Sequence, residues 1–562
     1  MNGDGLFIEQ AEYIEPNDFV EWSSDHPNEE VILKKLTQSG AKLLTGPRGC
    51  GKTTLMLKAY NQLVSSKNKN ALPIYVNFKS SLKIEPIYRQ KANGGFWFSQ
   101  WMYLKIYQGL YSVFSDMGIP ASGFRVCKEE VDNSIGYLEL GEVGRVDEIM
   151  QDINVYDLEA DIEYAAELAN KKRCVLLLDD AAHAFSHEQQ RDFFEFFRKI
   201  KSRSISPKAA VYPGVTNFAP TFNVGHDAEE INAWVDPEDE EYFSFMASML
   251  SRRLPEQVYG KIKSEDELLK VMCYAAFGIP RTLLNMVRNI YSEEEVDHGI
   301  EYKASFTKKN ILAQVKLSNK SSIDIYLSLQ QKIPTYKNYI EAGSSVFSKI
   351  LDLIKIYNKE KGVERKSVTI AIKRNLSSDL KKVLGFFQYA GLVSYKGQVS
   401  RGEKGVFDLY LINYSSLIEN NAVLASKSSK IEDLALSLEI RNAHEFTRTT
   451  SETLLPYKDG EIKLSLPPCQ KCGAERTSDE ARFCFNCGEP LKAASIYEIL
   501  VSEDIDVLPL TEKRISAIKG GSNIKKVKDI LHDIGHVELR SVPQVGQYWA
   551  SKIYYLAEEY IS

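Results

Sequence analysis

In the stretch TGPRGCGKTT, Thr45 to Thr54, glycines, a lysine and following threonines stand at the spacing of a phosphate-binding loop. The pattern G-x-x-x-x-G-K-[ST] runs from Gly46 to Thr53, with Pro47, Arg48 and Cys50 set among Gly46, Gly49 and Gly51. Glycines let the backbone curl so that successive N–H groups point inward at an anion. Lys52 is spaced to reach the β and γ phosphates, and Thr53, followed by Thr54, to offer a hydroxyl to Mg²⁺. Such a loop needs an acidic partner for the metal, and KKRCVLLLDDAAHAF (171–185) supplies two acids. Asp179 is expected to hold Mg²⁺ through water, and Asp180 to orient or activate an attacking water. The chemistry expected is ATP hydrolysis, with Mg²⁺ as cofactor.

A second cluster is late. In CQKCGAERTSDEARFCFNCG, the residues Cys469, Cys472, Cys484 and Cys487 make C-x2-C-x11-C-x2-C. Two tight knuckles of this kind close a tetrahedral thiolate site, so a structural Zn²⁺ in a small ribbon is expected. Four protein ligands leave no open position, and a ribbon with so little core depends on its metal for stability.

The elements that must hold these residues are legible around them. AKLL (41–44) reads as a buried strand and TTLMLKAYNQLV (53–64) as a helix whose N-terminus faces the phosphates. VLLL (175–178) reads as a central strand, with Asp179 at its carboxyl end, where open α/β sheets bind ligands. SPKAAVYPGVTNFAP (206–220) reads as a strand ending in polar Thr216 and Asn217. AAFGIPRTLLNMVRNI (275–290) opens a helix with Pro280 and Arg281, and proline suits a first helical turn. Between the loop and the acids lies a long insertion whose aromatics Phe96, Trp97, Trp101, Tyr107 and Tyr111 recur near helical spacing, as core packing or as a partner surface. HDAEEINAWVDPEDEEYF (226–243) reads as a solvated acidic loop.

Taken together, the loop, the acidic strand, the polar strand end and the G-x-P-R helix start resemble the AAA+ ATPases. The likeness is strongest to the origin-recognition and initiator-type branch and its STAND-like relatives, and covers roughly residues 20–295. The resemblance implies that Thr216 or Asn217 senses the γ-phosphate and that Arg281 contacts the nucleotide from the lid. It implies a homo-oligomer with an arginine finger from the neighbouring subunit, for which Arg203 is the candidate. The family's acidic pair is Asp-Glu where this chain has Asp179-Asp180, which implies slow or partner-stimulated hydrolysis.

Residues 344–415 change character. SSVFSKILDLIKIYNKE, SVTIAIKR and SSDLKKVLGFFQYAGL read as three helices, the last N-capped by Ser377 or Ser378. VSYKGQVSRGEKGVFDLYLIN then reads as strand, turn, strand, and the whole resembles a winged helix. Its 13 Lys/Arg against 6 Asp/Glu stand out in a chain of net charge −6, an electrostatic footprint for a phosphate backbone. Lys381 and Lys382 on the recognition helix, with Arg401 and Lys404 on the wing, are the candidate contacts to double-stranded DNA. A winged helix used only for subunit contacts is the alternative. Residues 495–562 resemble helix-hairpin-helix domains, most nearly the C-terminal domain of the bacterial RNA polymerase alpha subunit, through LPLTEKRISAIK, KKVKDIL and SVPQVGQYWASKI. In such hairpins a turn ending in glycine, here Gly546, offers helix-start N–H groups to a DNA phosphate. With 8 basic and 10 acidic residues from 495 onward, docking on a protein is as consistent as DNA.

At 562 residues, 44% apolar and 26% charged, the chain has material for several cores of roughly 150 residues each. The expected fold class is multidomain: an α/β P-loop AAA+ core (20–225, helical insertion about 85–170), a helical lid and connector (226–340), a winged helix (341–415), a linker or helical piece (416–468), a zinc ribbon (469–492) and an all-α helix-hairpin-helix domain (495–562). The acidic start MNGDGLFIEQAEYIEPNDF lacks a secretory pattern, and runs such as VLLL fall far short of the ~20 residues that span a bilayer, so a cytoplasmic protein without a membrane partner is expected. The functional expectation is a nucleotide-switched, DNA-binding ATPase that acts on or recruits a separate effector protein, of a kind the resemblance connects with bacterial mobile elements or phage defence. A STAND-like signalling switch and a transcription regulator are the alternatives.

Overall fold

The computed structural model describes residues 11, 14, 16–65, 70–91, 93–181, 186–296, 299–424, 430–439, 446–476, 481, 483–491 and 495–561. Its first half is built on a five-stranded parallel sheet in the order β2-β3-β4-β1-β5. The strands are β1 (Lys42–Thr45), β2 (Ala71–Asn77), β3 (Arg173–Asp179), β4 (Ile205–Val211) and β5 (Glu229–Asn232). Because all four pairings are parallel, every carboxyl end lies on one edge of the sheet. That edge receives the phosphate-binding loop after β1 and the acids after β3, with β4 between the two strands.

Both faces of the sheet are covered, as near-continuous apolar strands require. Helix Gly94–Asp116 buries Trp97, Trp101 and Tyr107 on one face, and Phe193, Phe194 and Phe197 join them from helix His187–Ile200. The aromatic spacing of the insertion is therefore core packing. On the other face, the P-loop helix Lys52–Ser65 and the lid helices share an apolar cluster with the second half of the chain, as far as Ile561. The acidic stretch 226–243 is not a plain solvated loop. It contributes edge strand β5, and Asp236 and Glu238 both bind Lys396.

A two-stranded hairpin, β6 (Tyr291–Val296) with β7 (Gly299–Ala304), follows the lid helix Pro280–Arg288, so the 226–340 region is not wholly helical. Long helices Lys308–Lys332 and Lys337–Asn358 then lead into a four-stranded sheet, β11-β8-β10-β9. Here β8 is Thr369–Lys373, β9 Val393–Ser400, β10 Val406–Ile412 and β11 Thr447–Thr449. The expected helix in SVTIAIKR is thus a strand. Val368, Thr369, Ile370 and Ile372 are β-branched and pack well on a pleated surface. The 416–468 piece is more than a linker: Thr447–Thr449 completes the sheet beside β8, and helix Ile431–Glu439 packs on the lid. The chain ends in helices Ile496–Ser502, Glu512–Gly521, Val527–Leu531, Val537–Ser541 and Gln547–Ile561. No helix among the described residues is long and apolar enough to cross a membrane.

Candidate nucleotide-binding site

Between β1 and helix Lys52–Ser65 the backbone turns tightly through Gly49 (φ +81°) and Gly51 (φ +98°), left-handed conformations that favour glycine. A Cβ on Gly49 would also lie 3.2 Å from Arg281 Cβ, a tight approach of the Pro280–Arg288 helix to the loop. Lys52 curls back: its Nζ donates to the carbonyls of Gly46 (2.8 Å) and Pro47 (3.0 Å) and stands 3.8 Å from the centre of the Tyr212 ring. Burial pushes the Lys52 ammonium below its ordinary pKa, against the opposing pull of Cys50, Asp180 and Asp179. Cys50 is itself buried, beneath Gly46.

The two acids part company at the end of β3. Asp179 is fully buried and accepts from the Tyr75 hydroxyl at 2.9 Å and from the Asp180 N–H at 2.9 Å. Asp180 has φ +52°, a left-handed turn that aspartate tolerates better than most residues. The turn faces its carboxylate into the cavity, where it accepts from the Tyr212 hydroxyl at 3.0 Å.

That cavity occupies about 1210 Å³ including its open mouth. The loop from Arg48 to Thr54, with Lys79, Asp180, Tyr212 and Arg281, lines one end. Phe19, Trp22, Phe245, Met249 and Leu284 add apolar and aromatic wall, interspersed with His26, Glu29, Lys58 and Arg253. Small-molecule sites have this form, mostly apolar with a few convergent polar groups. Across the polar end lies Glu559, from the last helix, with its Oε1 2.5 Å from Arg281 Nη1 and 3.7 Å from Arg48 Nη2.

Of the residues expected here, the structure brings together the loop, Asp179 beneath it, Asp180 and Arg281. It does not bring Thr216 or Asn217 to the cavity. Thr216 Oγ1 accepts from the Tyr212 N–H and closes the turn after β4, while the Asn217 N–H is bound by Gln190. Tyr212, the first residue beyond β4, lines the cavity instead, and its signal was its position directly after a buried strand. Arg203 is exposed just before β4, on the sheet edge opposite the cavity. Lys79 and Glu559 were not foreseen. Lys79 follows β2 on the cavity edge, and nothing in the sequence ties Glu559 to Arg281, 278 positions away.

The four late cysteines converge, with all Sγ atoms within 4.8 Å of one another. Paired knuckle bonds shape the two ends: Cys469 N–H to Ala474 O and Gly473 N–H to Cys469 O, then Cys484 N–H to Glu489 O and Gly488 N–H to Cys484 O. Four thiols so gathered fit Zn²⁺.

The expected DNA contacts divide. Lys381 and Lys404 are exposed, and Arg401 is partly buried over the Phe446 ring. Lys382 is not on an open face. Its Nζ donates to Gly214 O at 3.1 Å and lies over Tyr336 and Phe386, because helix Ser378–Tyr389 packs on the turn after β4. A Cβ on Gly214 would stand 2.1 Å from the carbonyl carbon of Gly385. Gly546 is exposed at the start of helix Gln547–Ile561.

No family model and no curated protein matches the sequence. Among solved structures the chain is similar to the Orc1 protein of Aeropyrum pernix, determined in complex with DNA, at 13% identity and a TM-score of 0.27 over 72% of this chain and 93% of that one. It is also similar to Cdc6p from Pyrobaculum aerophilum, at 14% identity and a TM-score of 0.26 over 75% of this chain and 98% of that one.

Proposed function

We propose that this chain is a Mg²⁺-dependent, nucleotide-switched ATPase of AAA+ type. The observation that carries the reading is the convergence on one cavity of the Gly46–Thr54 loop, Asp180 and Arg281, beside an aromatic compartment suited to a base. The residues fit the ligand by their chemistry. The loop supplies backbone donors and the Lys52 cation for phosphates, the Thr53 hydroxyl offers an oxygen to Mg²⁺, Asp179, fully buried and outside the cavity lining, would reach the ion only through water, and Arg281 supplies a forked cation from the lid. When bound, Mg²⁺ neutralises charge on the phosphates. Asp180, held by the Tyr212 hydroxyl, receives the proton of the attacking water or orients it. Lys52→Ala is expected to abolish tight ATP binding while the fold stands. Calorimetric titration checks this, and unchanged affinity rules the site out.

Double-stranded DNA belongs to the same proposal, carried by the wing. Lys373, Arg374, Lys404 and Arg448 are exposed around it: Lys373 pairs with Phe407, the Arg374 N–H bonds Val406 O, and Arg401 and Arg448 flank the Phe446 ring. Assembly into a homo-oligomer, a partner effector protein and a role in mobile-element or phage-defence systems complete the proposal. A signalling switch in which DNA plays no part is the second reading, and ATPase rates with and without double-stranded DNA separate the two.

A further inference from the structure

The C-terminal helical region reaches the nucleotide cavity in the folded chain. Two sets of contacts hold it there. Outside the cavity, the fully buried Glu85 carboxylate accepts from Ser495 Oγ (2.9 Å), the Tyr497 N–H (2.8 Å) and Arg89 Nε (2.6 Å), and Gln90 Nε2 donates to Glu498. At the cavity, Arg281 Nη1 donates to Glu559 Oε1, and Arg48 Nη2 donates to Glu559 O at 3.4 Å. Lys83 stands 4.0 Å from Glu558, the residue before Glu559.

We propose that Glu559 is a built-in anion that occupies the phosphate-reading arginines, so that the docked C-terminal domain and a bound nucleoside triphosphate exclude one another. The proposal rests on the nucleotide reading above. Its physical basis is that a carboxylate and a phosphate make the same demand on a guanidinium, a pair of acceptor oxygens within reach of its fork. Burial alone works against charge on Glu559, but Arg281, Arg48, Lys79 and Lys332 outweigh it and hold its pKa down to about 2, so it is an anion at neutral pH. A γ-phosphate that took Arg281 would stand against this like charge in a partly closed cavity, where screening by water is weak. The Glu85 contacts lie outside the cavity and do not compete with phosphate. Nucleotide therefore releases the Glu559 end of the domain first, and the same coupling, read in reverse, makes docking lower nucleotide affinity.

The test uses the full chain and a non-hydrolysable ATP analogue, titrated by calorimetry into the wild type, Glu559→Gln and Glu85→Gln, with hydrogen exchange followed over residues 495–561. Both variants keep side-chain size, and Glu85→Gln weakens docking without touching the cavity. Each is expected to bind the analogue more tightly, by a factor between about 5 and 150, the usual range of such couplings. In the wild type the analogue is expected to raise exchange across 495–561. Affinities unchanged or weakened in both variants, or 495–561 exchange indifferent to the analogue, overturn the proposal. So does a Glu559→Gln enzyme that binds the analogue as the wild type does but, in a parallel assay of phosphate release from ATP, turns over more slowly, which makes Glu559 a participant in the chemistry. If the wild type binds, Lys52→Ala does not and both glutamate variants match the wild type, only the gate falls. If neither the wild type nor Glu559→Gln binds, the nucleotide reading falls with it.

Discussion

Asp179 and Asp180 are neighbours in sequence but not in environment. Asp179 is fully buried at the end of β3, where it accepts from the Tyr75 hydroxyl, whereas Asp180 is turned by its left-handed φ into the cavity and steadied by Tyr212. A phenol that donates to a carboxylate leaves that carboxylate its remaining lone pairs, which is what a group that must accept a proton needs. Positioning of water matters only on the way to the transition state. Asp180→Asn is therefore expected to keep ATP affinity and to lower turnover by about 10²- to 10⁴-fold, the usual worth of a general base. Titration and steady-state phosphate release measure the two separately, and a wild-type rate in the variant would assign the base to another group. Aspartate is one methylene shorter than the glutamate of the resembled family. The positive φ at Asp180, which sets where its carboxylate points, is not announced by residue type.

Helix Ser378–Tyr389, expected to be the reading helix of a winged helix, turns much of its surface to the rest of the chain. It was to read DNA through Lys381 and Lys382; Lys381 is exposed, but Val383, Leu384, Phe386 and Phe387 are all buried, and Gly385 meets Gly214 in the turn after β4. A glycine inside a helix costs about 0.5–1 kcal/mol relative to alanine, and here it admits a backbone contact. Lys382 is held in that contact, and burial pulls its pKa down from 10.5 to about 8. The unfolded chain thus binds more protons than the folded one between about pH 8 and 10.5, so this residue's contribution to stability improves as pH rises through that window. Lys382→Met is expected to remove that rise in thermal melting and to leave DNA affinity unchanged. Charge reversal of Lys373, Arg374, Arg401 and Lys404 is expected to weaken DNA binding for all sequences alike. Each lost phosphate contact flattens the log–log salt slope by about 0.9. Binding that survives the wing reversal but fails with Lys381→Glu would return the reading face to the helix.

At the scale of the whole molecule, what was legible in the sequence was local. The loop, the VLLL strand with its acids and the paired C-x2-C knuckles announce themselves because their chemistry depends on spacing within a few residues. The short apolar run of β8 was misread because it lies between β11 and β10, buried on both faces, and so loses the alternation that marks a strand. The reach of Glu559 to Arg281 was illegible for a different reason: it depends on how the second half of the chain folds back across the first. The zinc ribbon sits in that return path, immediately before the docked helices. Among its described residues Phe483 and Phe485 are 62% and 74% exposed, so a metal held by the four thiols is expected to supply most of its order. One zinc per chain is expected by elemental analysis, and Cys484→Ser is expected to release it. Hydrogen exchange should then rise over residues 469–491. Residues 495–561 should stay protected, because the Glu85 and Glu559 contacts hold the C-terminal helices to the first half of the chain without passing through the cysteine knuckles. Native protein free of zinc contradicts the ribbon. A loss of protection that spreads through 495–561 would instead make the metal a support of docking, with the ribbon setting the effective concentration of the C-terminal domain at the cavity.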